Sequence, residues 1–169
     1  MSEPLPGSDA PPPSYLRLDT LADYHAAFDT LLGCAQREVW LFDLSLQRRF
    51  DQPERIEFLN RFLAGHRDAR LRILLHDAST ARSNCPRLCN LMRRFSDAVA
   101  IWQTTEAARA AADPLLVVDA RHALRRLHHT SSRSVLLTGD TGAVRPLHER
   151  LAQIHEASVP AVQATVLGL

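Results

Sequence analysis

The sequence predicts one α/β domain: a mixed, mostly parallel sheet with antiparallel hairpin strands near the C-terminal half, and helices on both faces. Three observations predict it. Between residues 15 and 102, short runs of strand-forming apolar residues alternate with stretches of helical period, the pattern of parallel strands joined by crossovers. After Pro114, three apolar runs follow one another too closely for crossover helices between them, so they read as hairpins. The 169 residues are 46% hydrophobic, enough to build one ordinary core.

Residues 1–14 hold five of the ten prolines and are expected to be a disordered, proline-rich tail. The domain is expected over 15–160, with a C-terminal tail at 161–169. YLRL, from Tyr15, reads as a short strand. Asp19 or Thr20 then caps a helix running to about Gln36, with Leu21, Phe28, Leu32 and Ala35 on one face. EVWLFD, residues 38–43, is a buried strand. Asp51 stands three residues ahead of Glu54, with Pro53 in the first turn, a capping-box signature. The helix it opens reaches about Ala64 and turns Ile56, Leu59 and Leu63 inward. LRILLHD, residues 71–77, is the next strand. Beyond the polar loop STARSNCP, Pro86 opens a helix that buries Leu88, Leu91, Met92 and Phe95. AVAIW, residues 98–102, is a strand, and the alanines of 103–112 suit a helical turn. PLLVVD, ALRRLHH and SVLLTG supply three further strands. Thr141 to about Ala157 form the last helix, with Val144, Leu147, Leu151 and Ile154 on one face.

Composition excludes several chemistries. All twenty Lys and Arg residues are arginine. Schiff-base catalysis, a phosphate-loop lysine and a lysine general base are therefore absent, because guanidinium does not give up its proton. Cys34, Cys85 and Cys89 suggest no disulfide framework. The N-terminus has no signal-like apolar run, and no segment has the roughly 18 apolar residues that span a bilayer, so a cytoplasmic protein without membrane contact is expected. Aromatic residues are 6% of the chain, too few for a base-stacking platform on single strands. The net charge is only +1, but Ala78–Ser96 and Ala120–Gly139 each carry four arginines and no acid. A solvated face paired with acids elsewhere leaves the same trace.

Several clusters are candidates for binding. Cys85 and Cys89, four apart on a helix, would need His76 and Asp77 to complete a zinc site, whereas two core cysteines need nothing; no metal and no cofactor is assigned. The loop Ser79–Asn84 follows a strand's carboxyl end and precedes a helix, where ligands of open α/β sheets commonly sit. Ser79, Thr80, Arg82 and Ser83 there are candidates for holding an anion; a helix cap and a solvated arginine would look the same. On the segment after Asp119, His122, Leu124, Arg126 and His128 point one way, and Arg121, Arg125, Leu127 and His129 the other. Neither face is clean, which suggests an edge strand; Asp119, Arg125, Arg126, His128 and His129 are its anion or partner candidates. There is no Gly-x-Ser-x-Gly elbow and no glycine-rich phosphate loop.

The order of elements, with "LLVVDARHAL" around Asp119, resembles one half of a phospholipase D-like domain. That family carries His-x-Lys-x4-Asp on a strand and a Gly-Ser-x-Asn turn downstream. Its histidine is the nucleophile, its lysine holds phosphate and its aspartate supports the site. With the aspartate placed on Asp119, the nucleophile position falls on Ala112, the lysine position on Pro114, and the turn on Gly139, Asp140, Thr141 and Gly142. The chain looks closest to an uncharacterised group of bacterial domains in which this signature has been lost. The resemblance implies two halves meeting, hence a homodimer or a partner protein or domain.

The expected function is therefore a non-catalytic phospholipase D-like module that binds a partner or an anionic small molecule, with no catalytic residue assigned. One alternative is a divergent hydrolase using His128 or His129 with Asp119 or Asp140. Another is a nucleic-acid-binding module using Arg93, Arg94, Arg125 and Arg126.

Overall fold

A computed structural model describes residues 12–162. Most of the proline-rich segment and the residues after 162 lie outside the described residues.

The strands are β1 (Ser14–Leu18), β2 (Glu38–Asp43), β3 (Arg70–Leu75), β4 (Val99–Thr104), β5 (Leu115–Val118), β6 (His122–Arg126), β7 (Ser134–Thr138) and β8 (Ser158–Val162). The helices are α1 (Leu21–Gly33), α2 (Pro53–Gly65), the single turn α3 (Ala81–Asn84), α4 (Pro86–Arg94) and α5 (Thr141–Glu156). Short 3-10 turns occupy Arg48–Asp51 and Glu106–Ala108. The eight strands form one sheet in the order β1-β7-β6-β5-β2-β3-β4-β8.

The sheet is mixed and carries helices on both faces, but its balance corrects the expectation of mostly parallel strands. Only β2–β3 and β3–β4 are parallel; the other five pairings are antiparallel. The reason lies at both flanks of that parallel core. The chain returns from β4 and enters β5 antiparallel beside β2, and β6 and β7 follow as a meander. β8 then folds back antiparallel on β4. The residues expected as a tail from 161 thus begin inside a strand. β6 is an interior strand rather than the expected edge, with Ala123 and Leu124 buried, and the edges are β1 and β8.

Alternation along each strand divides the core in two. Val39, Leu41, Leu71, Ile73, Leu116 and Leu124 face α1, α2 and α4. Trp40, Phe42, Leu74, Leu115, Val117 and Ala123 face α5, meeting Val144, Leu151 and Ile154. Thr20 caps α1, its side chain accepting the N–H of Asp23 at 3.1 Å. Asp51 does not cap α2 as its spacing suggests; Gln52 is the residue before that helix. Buried at 3% exposure, Asp51 caps α4 instead, accepting the N–H groups of Arg87 (3.0 Å) and Leu88 (2.8 Å). A carboxylate so placed meets both the orphan amides and the positive end of the helix.

The turn from β5 to β6 is tight. Arg121 donates its N–H to the carbonyl of Val118 at 3.1 Å, and Asp119 and Ala120 between them have φ of 55° and 50°. Two successive positive φ values are those of a type I′ turn, whose twist suits a hairpin. Aspartate tolerates this region, whereas alanine's Cβ crowds the following carbonyl. Replacing Ala120 with glycine is expected to stabilise the protein by about 0.5–1 kcal/mol in urea denaturation, since relief of that crowding exceeds glycine's extra unfolded-state freedom. A loss of stability would contradict the turn.

Candidate functional site

The register places two sets of residues at opposite ends of the sheet. Phe42 pairs with Leu115, Leu115 with Arg125, and Arg126 with Ser134. The carboxyl ends of β2 and β3 therefore share one end with the start of β5, the end of β6 and the start of α1. At the other end, Val39 pairs with Val118 and Val118 with His122, beside Asp119 and Gly139.

At the carboxyl end the segment before β5 is fixed by its neighbours. The Ala112 carbonyl accepts the N–H of His129 (2.9 Å), and the Pro114 carbonyl accepts that of Arg126 (3.0 Å). Asp113 between them is buried, at 6% exposure. Its carboxylate accepts from both terminal nitrogens of Arg150, at 2.6 and 2.5 Å, and from Nε of Arg125 at 2.7 Å. Burial alone would raise this carboxyl, but the two guanidiniums outweigh it and hold Asp113 below the usual carboxylate range.

A second group lies on the α1 side. Asp43 closes β2 and accepts the N–H of Leu44 at 2.7 Å. Burial pushes its carboxyl up to about 6, against the pull of that N–H, Arg126 and His76. Tyr24 is buried, and burial followed by the Asp43 charge drives its hydroxyl well above the usual range. The guanidinium of Arg126 sits 5.5 Å from the Tyr24 ring centre and donates to the Ser131 carbonyl from two nitrogens, at 3.0 and 2.6 Å. His25, next along α1, is driven down to about 4 by burial and by Arg49 and Arg55, and its buried Nδ1 has no hydrogen-bond partner among the described residues.

His76 has both ring nitrogens engaged, Nδ1 with the Thr104 hydroxyl (2.5 Å) and Nε2 with the Ala111 carbonyl (2.6 Å). The carbonyl can only accept, so Nε2 carries a proton and a neutral ring accepts from Thr104. Such a ring pins β3 to the loop before β5 and is no nucleophile. His128 and His129 stack at the tip of the β6–β7 connection, with centroids 4.2 Å apart. His128 Nδ1 accepts from Thr130, and neither ring pairs with a carboxylate among the described residues. Among the described residues, this end gathers hydrogen-bond donors and no histidine paired with a carboxylate.

The residues singled out from the sequence are only partly brought together. Arg125, Arg126, His128, His129 and the loop Ser79–Ser83 share the carboxyl end, but Arg125 turns to the α5 side and Arg126 to the α1 side. In the loop, Ser79 donates its N–H to Asp77 and Ser83 donates its hydroxyl to the Thr80 carbonyl, while Arg82 is exposed. The following helix is a single turn, and the N–H groups that open α4 already belong to Asp51. Asp119, Gly139 and Asp140 lie at the far end. Gly139, with φ of 70°, bonds to His122, and Asp140 caps α5 by accepting from Ala143. The turn at 139–142 therefore does not adjoin Ala112 and Pro114, and neither Asp119 nor Asp140 reaches His128. Arg93 and Arg94 end α4 and do not join Arg125 and Arg126; Arg94 bonds Asn60 and covers Phe95. Cys85 and Cys89 are buried, Cys85 pushed up to about 12 by burial, and no group of three metal-binding side chains exists among the described residues. Sequence reading missed Asp43, Tyr24 and the Asp113–Arg150 pair; Asp43 alone carried a signal, an acid at a strand's carboxyl end.

Asp43 makes a measurable prediction. Its carboxyl is raised in the fold, so the fold keeps the proton longer than the unfolded chain does. Stability from this group grows as pH falls through about 6 toward 4 and is lost as pH rises. His25, depressed to about 4, acts oppositely over part of the same window. Asp43→Asn removes the cost of the buried charge and is expected to stabilise by about 1–3 kcal/mol at pH 7.5 but not at pH 4 in chemical denaturation. No gain at pH 7.5 would contradict this account of the site.

Comparison with solved structures shows the fold. Nuc from Salmonella typhimurium, a phospholipase D family member, aligns at a TM-score of 0.65 and 11% identity over 89% of this chain and 99% of its own. TrmBL2, an archaeal chromatin protein with a novel mode of DNA binding, aligns at 0.62 and 13% over 87% of this chain, which spans 54% of TrmBL2. Phosphatidylserine synthase from Haemophilus influenzae Rd KW20 aligns at 0.60 and 12% over 90% of this chain and 40% of the synthase. The chain thus has the fold of phospholipase D family members. No curated protein matches its sequence. Residues 20–167 match a domain of unknown function, DUF7931, and the chain belongs to that family.

Proposed function

We propose that this domain is a non-catalytic phospholipase D-like module that binds an anion or a partner at the carboxyl end of β2 and β3. The observation that carries the reading is the start of β5. Ala112 and Pro114 stand there, in the positions to which the family resemblance assigns a nucleophilic histidine and a phosphate-holding lysine. Neither side chain can attack, donate or hold charge, and no lysine exists elsewhere in the chain to substitute. What remains at this end suits binding: Asp43 ready to hold a proton, the Arg126 guanidinium over Tyr24, and the histidine pair, of which His128 is exposed and His129 partly buried. Ser79, Thr80, Arg82 and Ser83 would form the outer rim of such a site. Leu127, 51% exposed beside the histidines, offers apolar contact to a second copy or another domain, as the two-half arrangement of the family implies.

A hydrolase built on His128 or His129 with Asp119 or Asp140 is disfavoured, because these groups lie at opposite ends of β6. A nucleic-acid surface built on Arg93, Arg94, Arg125 and Arg126 is disfavoured because the four do not share a surface.

Purified protein incubated with bis(p-nitrophenyl) phosphate and with DNA is expected to show no turnover above buffer. In the same preparation, thermal unfolding is expected to shift upward with millimolar inorganic phosphate or pyrophosphate. Hydrolysis at enzymatic speed, lost in His128→Ala, would overturn the reading.

A further inference from the structure

The amino end of the sheet carries a second feature, separate from the site above. A depression of about 820 Å³ lies between the starts of β2 and β3 and the end of α2, with Arg37, Arg67, Arg70 and Arg72 on its walls. A second, of about 740 Å³, lies toward α1 and β7 and is walled by Arg121, His122 and Thr138. The two share Gln36, Arg37 and Asp119, so they form one groove across this end.

The groove's acids are largely committed to internal partners. Asp119 accepts three backbone N–H groups, from Gln36 (3.0 Å), Arg37 (2.7 Å) and Glu38 (3.0 Å). Glu38 accepts the indole N–H of Trp40 (3.1 Å) and pairs with Arg72 (3.5 Å), and the His148 ring nitrogen lies 2.9 Å from its other oxygen. Only Asp68 is left as an exposed acid on the walls. The guanidiniums are committed far less. Arg70 donates to its neighbour's carbonyl at Ala69, and Arg37, Arg67 and Arg121 have no ion pair or side-chain hydrogen bond among the described residues. Four arginines therefore stand against one uncommitted carboxylate, in a protein whose overall charge is only +1.

We propose that this groove binds the phosphodiester backbone of a nucleic acid, through phosphates rather than bases. Guanidinium is the side chain suited to bidentate phosphate contact. The guanidiniums are spread over two adjoining depressions, with Arg67 and Arg70 lining only one and Arg121 only the other, an arrangement suited to several phosphates rather than one. No Phe, Tyr or Trp lines either depression, so there is no platform for stacked bases, and a duplex meets the walls as well as a single strand. The proposal does not depend on the reading of the carboxyl end, whose residues take no part in it.

The test is fluorescence anisotropy of a labelled 20-base-pair duplex with the whole chain. Binding is expected at 50 mM salt, with a log–log salt slope of about −3, set by about three to four phosphate contacts. A variant combining Arg37→Ala, Arg67→Ala and Arg121→Ala, checked for native circular dichroism, is expected to bind at least tenfold more weakly. A charge-matched variant with Arg48→Ala, Arg49→Ala and Arg145→Ala, all exposed elsewhere, is expected to stay within threefold of the parent. The proposal is overturned if the duplex does not bind, if both variants weaken equally, or if inorganic polyphosphate binds while the duplex does not.

Discussion

The carboxylate of Asp119 holds the joint between two differently built halves of the sheet. On one side, β2, β3 and β4 run parallel, linked by helices; on the other, β5, β6, β7 and β1 form an antiparallel array. β2 and β5 are the only strands that connect the halves within the described sheet, through four residue pairs from Val39–Val118 to Phe42–Leu115. Such a short seam would fray at its ends. Asp119 prevents this at the amino end by gathering the N–H groups of three consecutive residues at the start of β2. The left-handed backbone at Asp119 and Ala120 follows, because only a tight turn returns the carboxylate to that position while β6 sets off alongside β5.

The opposite end of the seam is fastened by other means. His76 ties the end of β3 to the Ala111 carbonyl, and Asp113 is gripped by Arg125 from β6 and Arg150 from α5. Removing this carboxylate would leave two partly exposed guanidiniums side by side without their counter-charge. These fastenings position the start of β5 although Ala112 and Pro114 themselves bring no reactive group. Both ends of the seam are thus held by contacts from outside the β2–β5 ladder.

Much of this was legible in local chemistry. Thr20 as a cap, Pro86 at a helix start, the strand runs at 38–43 and 71–77 and the late meander all rest on residues within a turn or two of one another. Asp119 was singled out by the resemblance that places the family's aspartate there, not by the backbone amides it gathers. What escaped depends on distant partners. The spacing of Asp51 from Glu54 matched a capping box, but its amides belong to residues 36 and 37 positions away. The late strands were recognisable, yet nothing local says that β5 inserts beside β2 and makes β6 interior. β8 contains Pro160, which argues against a central strand; at an edge it is tolerated. Tyr24 looks ordinary in sequence, and Asp43 shows only its place at a strand's end; burial is what shifts both. The basic groove draws on α2, β2, β3 and the β5–β6 turn, so no single charge run announced it.

The central claim is that Asp119 secures the seam, and amide hydrogen exchange on the Asp119→Asn protein tests it most directly. Asparagine still tolerates the left-handed backbone but replaces one acceptor oxygen with a donor. The account predicts faster exchange at Gln36, Arg37 and Glu38, spreading into β5, with a loss of about 1–2 kcal/mol in global stability. Unchanged protection at these three amides, with unchanged stability, would contradict it.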